Sequence, residues 1–497
     1  MKKYIYSIMA VAAVLASCTK VKTDSTTSGA LNSEDSTASI TTIKVSTNAT
    51  SKAYVSTEDN TRVLWEDGDN ICAFCFGIAS NGNYADFPVS FSLDEGAGQE
   101  SGTFKMVEDP RISLVTRIYT IVYPETAFIM PLGSHGGYDR LVLNIPTVQK
   151  ARKGSFDKDA AIMYDISYAG NIDDLHLKYA VNFLKITLTE SVNSVIIEAD
   201  EPLSGKIEIS NNVISPYYEG TANHVELKAE NGGLIEPGVY YIAVRPCDIH
   251  NPTVTFRTPH SIKIKKSKGT LSFAEGKNVK PISVDWTKGD VTGAVQLWAG
   301  GPYWSIKNIG ATDEYDPGYY FSWGNTTGYV RNSAGDRWVV APGYSGAGNV
   351  LNGGFTNGNY YITNGYKITR DLQANETEDA AVAAWGSDWR IPTYEDAEGF
   401  NNNTTSTKSL DETYYRVTGK GDYAGDYIII PSLGDGLDDD LINKGIISLW
   451  TTRYSSDHYG NHEPYHIIAS ERNTIPHLTN EVVASLGMNI RPVYCRP

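Results

Sequence analysis

The stretch EDAAVAAWGSDWRIPTYE, Glu378 to Glu395, decides how the rest of the chain is read. Its alanines are strong helix formers, and Asn375 with Glu378, three residues apart, fits a capping box. Gly386 ends that helix. Trp389-Arg390-Ile391-Pro392 must run extended, because proline pushes its predecessor out of the α region. Thr393 then caps a second short helix, with Glu395 and Asp396 in a first turn where the helix dipole favours acids. Two short helices around an aromatic extension, set in strand-rich sequence, predict a compact α+β domain.

At 497 residues the chain exceeds one hydrophobic core, and three domains are expected. Hydrophobic residues at 41% and charged residues at 20% are those of a globular protein. Tyr and Thr in alternating runs favour β-structure. A formal charge of −16 excludes nucleic-acid binding as the main role, since phosphate contacts need a basic face; it reads first as a solvated surface. Five cysteines are too few for a disulfide scaffold. Cys72 and Cys75 sit three apart in a strand pattern, so they face opposite sides and read as buried thiols rather than a metal or redox pair.

Lys2 and Lys3 precede an apolar run from Ile5 to Ala16 that is too short to span a membrane. Leu15-Ala16-Ser17-Cys18 resembles a bacterial lipobox. That resemblance implies a signal peptide over 1–17, cleavage before Cys18, lipid on the Cys18 sulfur and acylation of its new amine, giving an outer-membrane lipoprotein exposed at the cell surface. Residues 18–39 are Ser/Thr-rich and read as a flexible tether.

From Ile40 the hydrophobic period is two. Ile118–Tyr123, Leu141–Ile145, Phe183–Leu188, Val195–Ile197, Lys206–Ile209, Tyr240–Val244 and Thr253–Phe256 are strand candidates between Gly, Asn, Asp and Pro turns. Their spacing predicts two β-sandwiches, over 40–165 and 166–290. Within them, Trp65-Glu66-Asp67-Gly68-Asp69-Asn70-Ile71, Tyr123-Pro124, Ile145-Pro146-Thr147-Val148-Gln149, Gly154-Ser155-Phe156-Asp157 and Asn182-Phe183-Leu184-Lys185-Ile186 resemble, in order, segments of the Bacteroidales fimbrillin-like proteins. The resemblance implies two tandem transthyretin-like β-sandwiches in a pilus subunit precursor. It also implies removal of the first strand after an arginine, which opens a groove for a neighbour's strand. The first arginine after Cys18 is Arg62, in a polar run before Trp65. It is either the processing site or an ordinary exposed arginine.

The last segment, 291–497, is rich in Gly, Asn, Tyr and Trp. Trp304-Ser305-Ile306-Lys307-Asn308-Ile309-Gly310, Gly318-Tyr319-Tyr320-Phe321-Ser322-Trp323-Gly324, the opening stretch, Leu449-Trp450-Thr451-Thr452 and Arg491-Pro492-Val493 resemble the Fibrobacter succinogenes major paralogous domain in order. The resemblance implies a C-type-lectin-like fold, in which irregular loops carry binding. Those loops would be 325–370 and 434–480. The first supplies the candidate ligand contacts Tyr329, Tyr344, Phe355, Tyr360 and Tyr361, rigid aromatics among small polar neighbours. Trp323, Trp385, Trp389, Arg390 and Arg491 read as scaffold, with Arg390 paired to Glu395 or a strand acid. Asp435, Asp438, Asp439 and Asp440 could give oxygens to Ca²⁺, but their spacing matches no established loop. His458, His462 and His466 recur every four residues, yet Gly460 and Pro464 oppose the helix a zinc face would need.

The expectation is therefore a mainly β chain, two tandem sandwiches followed by an α+β lectin-like domain, that is no enzyme and carries no cofactor. Its expected role is a pilus tip or accessory adhesin. The expected partners are other pilus subunits through β-strand addition, a host or microbial surface glycan or protein, and the outer membrane through the lipid. A surface lipoprotein that binds its ligand without entering a pilus is the alternative.

Overall fold

The computed structural model describes residues 39–47, 64–132, 140–166, 175–273, 279–286, 290–344, 368–432, 434–437, 440–456, 463–470, 473–480 and 484–495. Cys18, Arg62, Phe355, Tyr360, Tyr361, Asp438, Asp439, His458 and His462 lie outside them, as do the predicted signal peptide and nearly all of the tether. The chain is mainly β. It forms two compact units: one holds the residues up to Val254 with Lys266–Asp285, the other Thr255–Lys265 with Trp286–Pro497. Among the described residues no helix is long and apolar enough to cross a membrane.

In the first unit, strand Thr42–Thr47 runs antiparallel to Ser101–Met106 and parallel to Leu175–Tyr179. Both pairings belong to one ring of seven strands, completed by Tyr84–Glu95, Asn70–Ala79, Ile112–Tyr123 and Met163–Ile166. Alternation in the first strand sends Ile43 and Val45 into the core, 2% and 1% exposed, and leaves Thr42 and Lys44 outside. Asn70–Ala79 is covered on both faces from Ile71 to Cys75, so both thiols are buried, and desolvation raises their pKa values.

Trp65 fills the ring's interior, edge-on to Phe104 at 4.9 Å and to Tyr123 at 5.3 Å. Gly68, at φ +85°, supplies the left-handed turn after it. The acids beside the tryptophan are structural. Asp69 accepts the Glu66 backbone N–H at 2.7 Å and the Tyr123 hydroxyl at 3.2 Å. Glu66 pairs with Arg152 and Lys158. Further strands of this unit form a sheet in the order Phe128–Leu132, Arg140–Ile145, Ser204–Ser210, Val213–Ala222, and Asn182–Leu188 pairs with both Gly238–Val244 and Val279–Ile282. Buried residues of both predicted sandwiches, Ile43 and Phe104 as well as Phe183 and Tyr241, join in one core.

In the second unit, Asp290–Gln296 pairs with Tyr303–Ser305, and Val493–Tyr494 lies between Tyr303–Ser305 and Trp389–Arg390. Two three-stranded antiparallel sheets follow. One is Thr404–Lys408, Tyr414–Gly419 and Tyr427–Pro431; the other is Ile447–Trp450, His466–Ser470 and Asn473–Thr479. Among the described residues the unit's α-helices span Ala380–Trp385 and Tyr394–Asn403.

The cap of the first helix is Asp379 rather than the Asn375–Glu378 box. Its Oδ1 accepts the N–H groups of Ala381 and Val382 at 2.8 and 3.2 Å, and its Oδ2 accepts that of Ile391 at 2.9 Å. Asn375 instead makes a local turn to Thr377 and Glu378, and Glu378 pairs with Arg370 at 2.7 Å. Gly386 closes the helix at φ +92°. Thr393 and Asp396 form the capping box of the second helix. Arg390 pairs with that same Asp396, not with Glu395, which reaches Arg453 at 3.1 Å. Trp323 and Trp389 are buried, and Trp385 packs at the core's edge.

Candidate ligand-binding face

Tyr329 and Tyr344 are the described members of the tyrosine set proposed for a ligand. Tyr329 opens the strand Tyr329–Arg331, which pairs with Trp338–Val340, and it is 2% exposed. Its ring belongs to a small buried cluster with Tyr320 and Trp338. Tyr344 is half-buried, 5.9 Å from the Tyr319 ring and 6.3 Å from that of Phe321, and burial pushes its phenol up to about 12. Tyr329 thus turns into the protein, and Tyr344 is largely engaged with Tyr319 and Phe321.

Of the aspartates of the possible calcium loop, Asp435 and Asp440 are described. Asp435 is buried in the strand Asp435–Leu437, its Oδ2 taken by Asn443 at 2.9 Å, and burial raises its carboxyl pKa. Asp440, on the paired strand Asp440–Ile442, is exposed. Among the described residues no group of three His, Cys, Asp or Glu side chains is placed to hold a metal. His466 lies in a strand, not on a helix, buried with its ring 6.0 Å from that of Trp450. The described residues of 434–480, read as an irregular loop, are mostly strand, because Ile447–Trp450 and His466–Ser470 alternate into a shared core.

An aromatic face does reach solvent elsewhere in this unit. In Tyr414–Gly419 the side chains of Tyr415 and Val417 point into the core, and Tyr414, Arg416 and Thr418 point out. Thr418 lies opposite Tyr427, and Arg416 opposite Ile429 and Thr407. The Arg416 guanidinium therefore reaches diagonally over the Tyr427 ring, 3.8 Å from its centroid. Tyr315 approaches from a separate turn and meets Tyr414 edge-on at 5.1 Å. That turn is fixed by its own acids: Asp313 accepts the N–H groups of Tyr315 and Asp316, and Asp316 accepts those of Thr312 and Gly318. Tyr315 is 52% exposed and Tyr427 40%. Sequence reading passed over this face, although the alternation Tyr414-Tyr415-Arg416-Val417-Thr418 carries its signal.

These elements define the class: a mainly β protein of two units, the second presenting an exposed tyrosine–arginine face. No family model matches the chain, and no curated protein matches it. Among solved structures, a fimbrial protein from Bacteroides ovatus ATCC 8483 is similar over 92% of this chain and 99% of that one, at 14% identity and a TM-score of 0.23.

Proposed function

We propose that the protein is a fimbrial-type surface protein, a tip or accessory subunit that accepts a neighbour's strand and presents its second unit to a ligand. The seat of Thr42–Thr47 supports this reading. That strand bridges Ser101–Met106 and Leu175–Tyr179 and inserts Ile43 and Val45 into the core. Its removal would leave a gap with one antiparallel and one parallel edge, lined by apolar pockets at alternate positions, which a strand from another chain can fill. Cleavage at Arg62 would release it, and lipid on Cys18 would hold the precursor at the outer membrane. Val493–Tyr494 is hydrogen-bonded on both edges within its own unit and is not a strand available to lend. The ligand is then a surface glycan or protein.

The test is Arg62→Ala in a fimbriated host, with mass spectrometry of sheared fibres. Wild-type chain beginning at Val63 is expected in the fibres, and the variant is expected to stay uncut and outside them. Wild-type chain found uncut and only in the membrane fraction would favour a surface lipoprotein that never enters a fibre.

A further inference from the structure

We propose that the outer face of the sheet Thr404–Lys408, Tyr414–Gly419 and Tyr427–Pro431, with Tyr315 at its edge, binds a carboxylate-bearing saccharide. The inference rests on the reading that the second unit carries the ligand, and names the chemistry of that ligand.

Three observations carry it. The first is the exposure of planar side chains on rigid supports. Most tryptophans of this unit are fully buried, whereas Tyr315 and Tyr427 stand out on a turn and a strand whose backbones are held by hydrogen bonds. Sugar rings present C–H faces that lie on aromatic faces, and the phenol and threonine hydroxyls beside them, including exposed Thr405 and Thr407, suit sugar hydroxyls. The second is charge. Arg416 is exposed, seated over Tyr427, and among the described residues no carboxylate pairs with it, although the whole chain has a formal charge of −16. A guanidinium seated over a ring, with no carboxylate partner of its own, has N–H groups to give a bidentate carboxylate. The third is what the face lacks. The positions that reach solvent on this side are Thr405, Thr407, Tyr414, Arg416, Thr418 and Tyr427, while Ile429 and Pro431, which share the side, are buried. The face thus offers rings, hydroxyls and a guanidinium rather than aliphatic surface, which suits a polar ring-shaped ligand. Glu314 lies beside the Tyr315 hydroxyl, so the ligand's carboxylate belongs at Arg416 and its hydroxyls toward Tyr315.

The test probes the full chain against immobilised oligogalacturonate, oligoalginate and sialyllactose, with methyl-esterified oligogalacturonate as the neutral counterpart. Binding to at least one acidic saccharide is expected. Arg416→Gln and Tyr427→Ala should each weaken it by about tenfold or more, the scale of one lost charge-assisted contact, with the thermal midpoint unchanged. For oligogalacturonate, if it is the ligand, the ester should bind as weakly as the Arg416→Gln variant binds the acid. No binding to any of the acidic saccharides, equal binding to acid and ester, or unchanged affinity in Arg416→Gln overturns the proposal. Adherence of protein-coated beads to cells separates the two readings. Adherence that survives Arg416→Gln leaves the adhesin reading standing and sinks this one; beads that never adhere sink the adhesin reading, whatever the saccharide result.

Discussion

Asp379, at the head of a six-residue helix, accepts the backbone N–H of Ile391, twelve residues further along, at 2.9 Å. One carboxylate thereby caps the helix and fixes the strand Trp389–Arg390 that follows. The substitution Asp379→Asn keeps the shape and one acceptor but turns an N–H donor toward at least one backbone N–H. A buried donor left without its acceptor costs about 1–3 kcal/mol. The variant should therefore unfold at lower urea, with the slope of the transition unchanged.

Burial also shifts two titrations of the second unit in opposite senses. Desolvation pushes the Asp379 carboxyl up to about 6 against the pull of its three N–H donors, and it pushes the His466 imidazole down to about 4. The folded Asp379 value is raised, so its contribution is fully present below the unfolded value near 4 and lost as pH rises through about 6. The folded His466 value is depressed, so its contribution is present above the unfolded value near 6.5 and lost as pH falls through about 4. His466→Phe keeps a ring against Trp450 and removes the proton. Relative to wild type it should gain on the order of 3 kcal/mol between pH 7 and pH 4, read from denaturant midpoints at the two values. An equal shift of both proteins with pH would show that His466 does not titrate in this range.

The helix pair was legible in sequence because its determinants are local: alanines, a glycine stop, a proline and a Thr393 cap act within a few residues. The choice of Asp379 over Asn375 was not, because it is made by an N–H from beyond the helix. The same limit explains the tyrosines. The composition of 325–370 looks like loop, yet Tyr329 lies in a hairpin whose alternation turns it inward, against Tyr320 and Trp338. The face that does reach solvent joins Tyr315 to Tyr414 and Tyr427, residues about a hundred positions apart, and period two alone says that Tyr414 and Arg416 share a side without saying which side is wet. The segment Thr255–Lys265 alternates equally well in either unit, and only packing assigns it to the second.

In the first unit, the Tyr123 hydroxyl and the Glu66 backbone N–H share Asp69, which locks the turn carrying Trp65 into the ring. Tyr123→Phe removes one neutral donor to a carboxylate that keeps others, and should cost about 1 kcal/mol. Asp69→Ala leaves the hydroxyl and the N–H without their acceptor, and should cost roughly 2–3 kcal/mol. The double variant should be less destabilised than the sum of the two, because both singles break the same contact. Additive losses would show that the Tyr123 hydroxyl and Asp69 act independently.

Arg491 is the largest charged side chain sealed in the second unit. It is fully buried and gives one N–H to the Ser305 carbonyl at 3.0 Å and another to that of Ile429 at 2.7 Å. Burial lowers its pKa to about 9, partly opposed by the charge of Glu314. Its two acceptors sit on separate strands, Tyr303–Ser305 and Tyr427–Pro431, so the planar fork spans a gap that a single ammonium cannot. Arg491→Lys should therefore leave one carbonyl unsatisfied and a compact charge buried, costing about 3 kcal/mol or more. Arg491→Met removes the charge but strands both carbonyls. It should cost less than the lysine if desolvating the charge outweighs the two hydrogen bonds, and more if the hydrogen bonds outweigh the charge. The order of the two denaturation midpoints decides between them. Because Ile429 lies beneath the tyrosine–arginine face, saccharide binding should weaken in whichever variant loosens the strand Tyr427–Pro431.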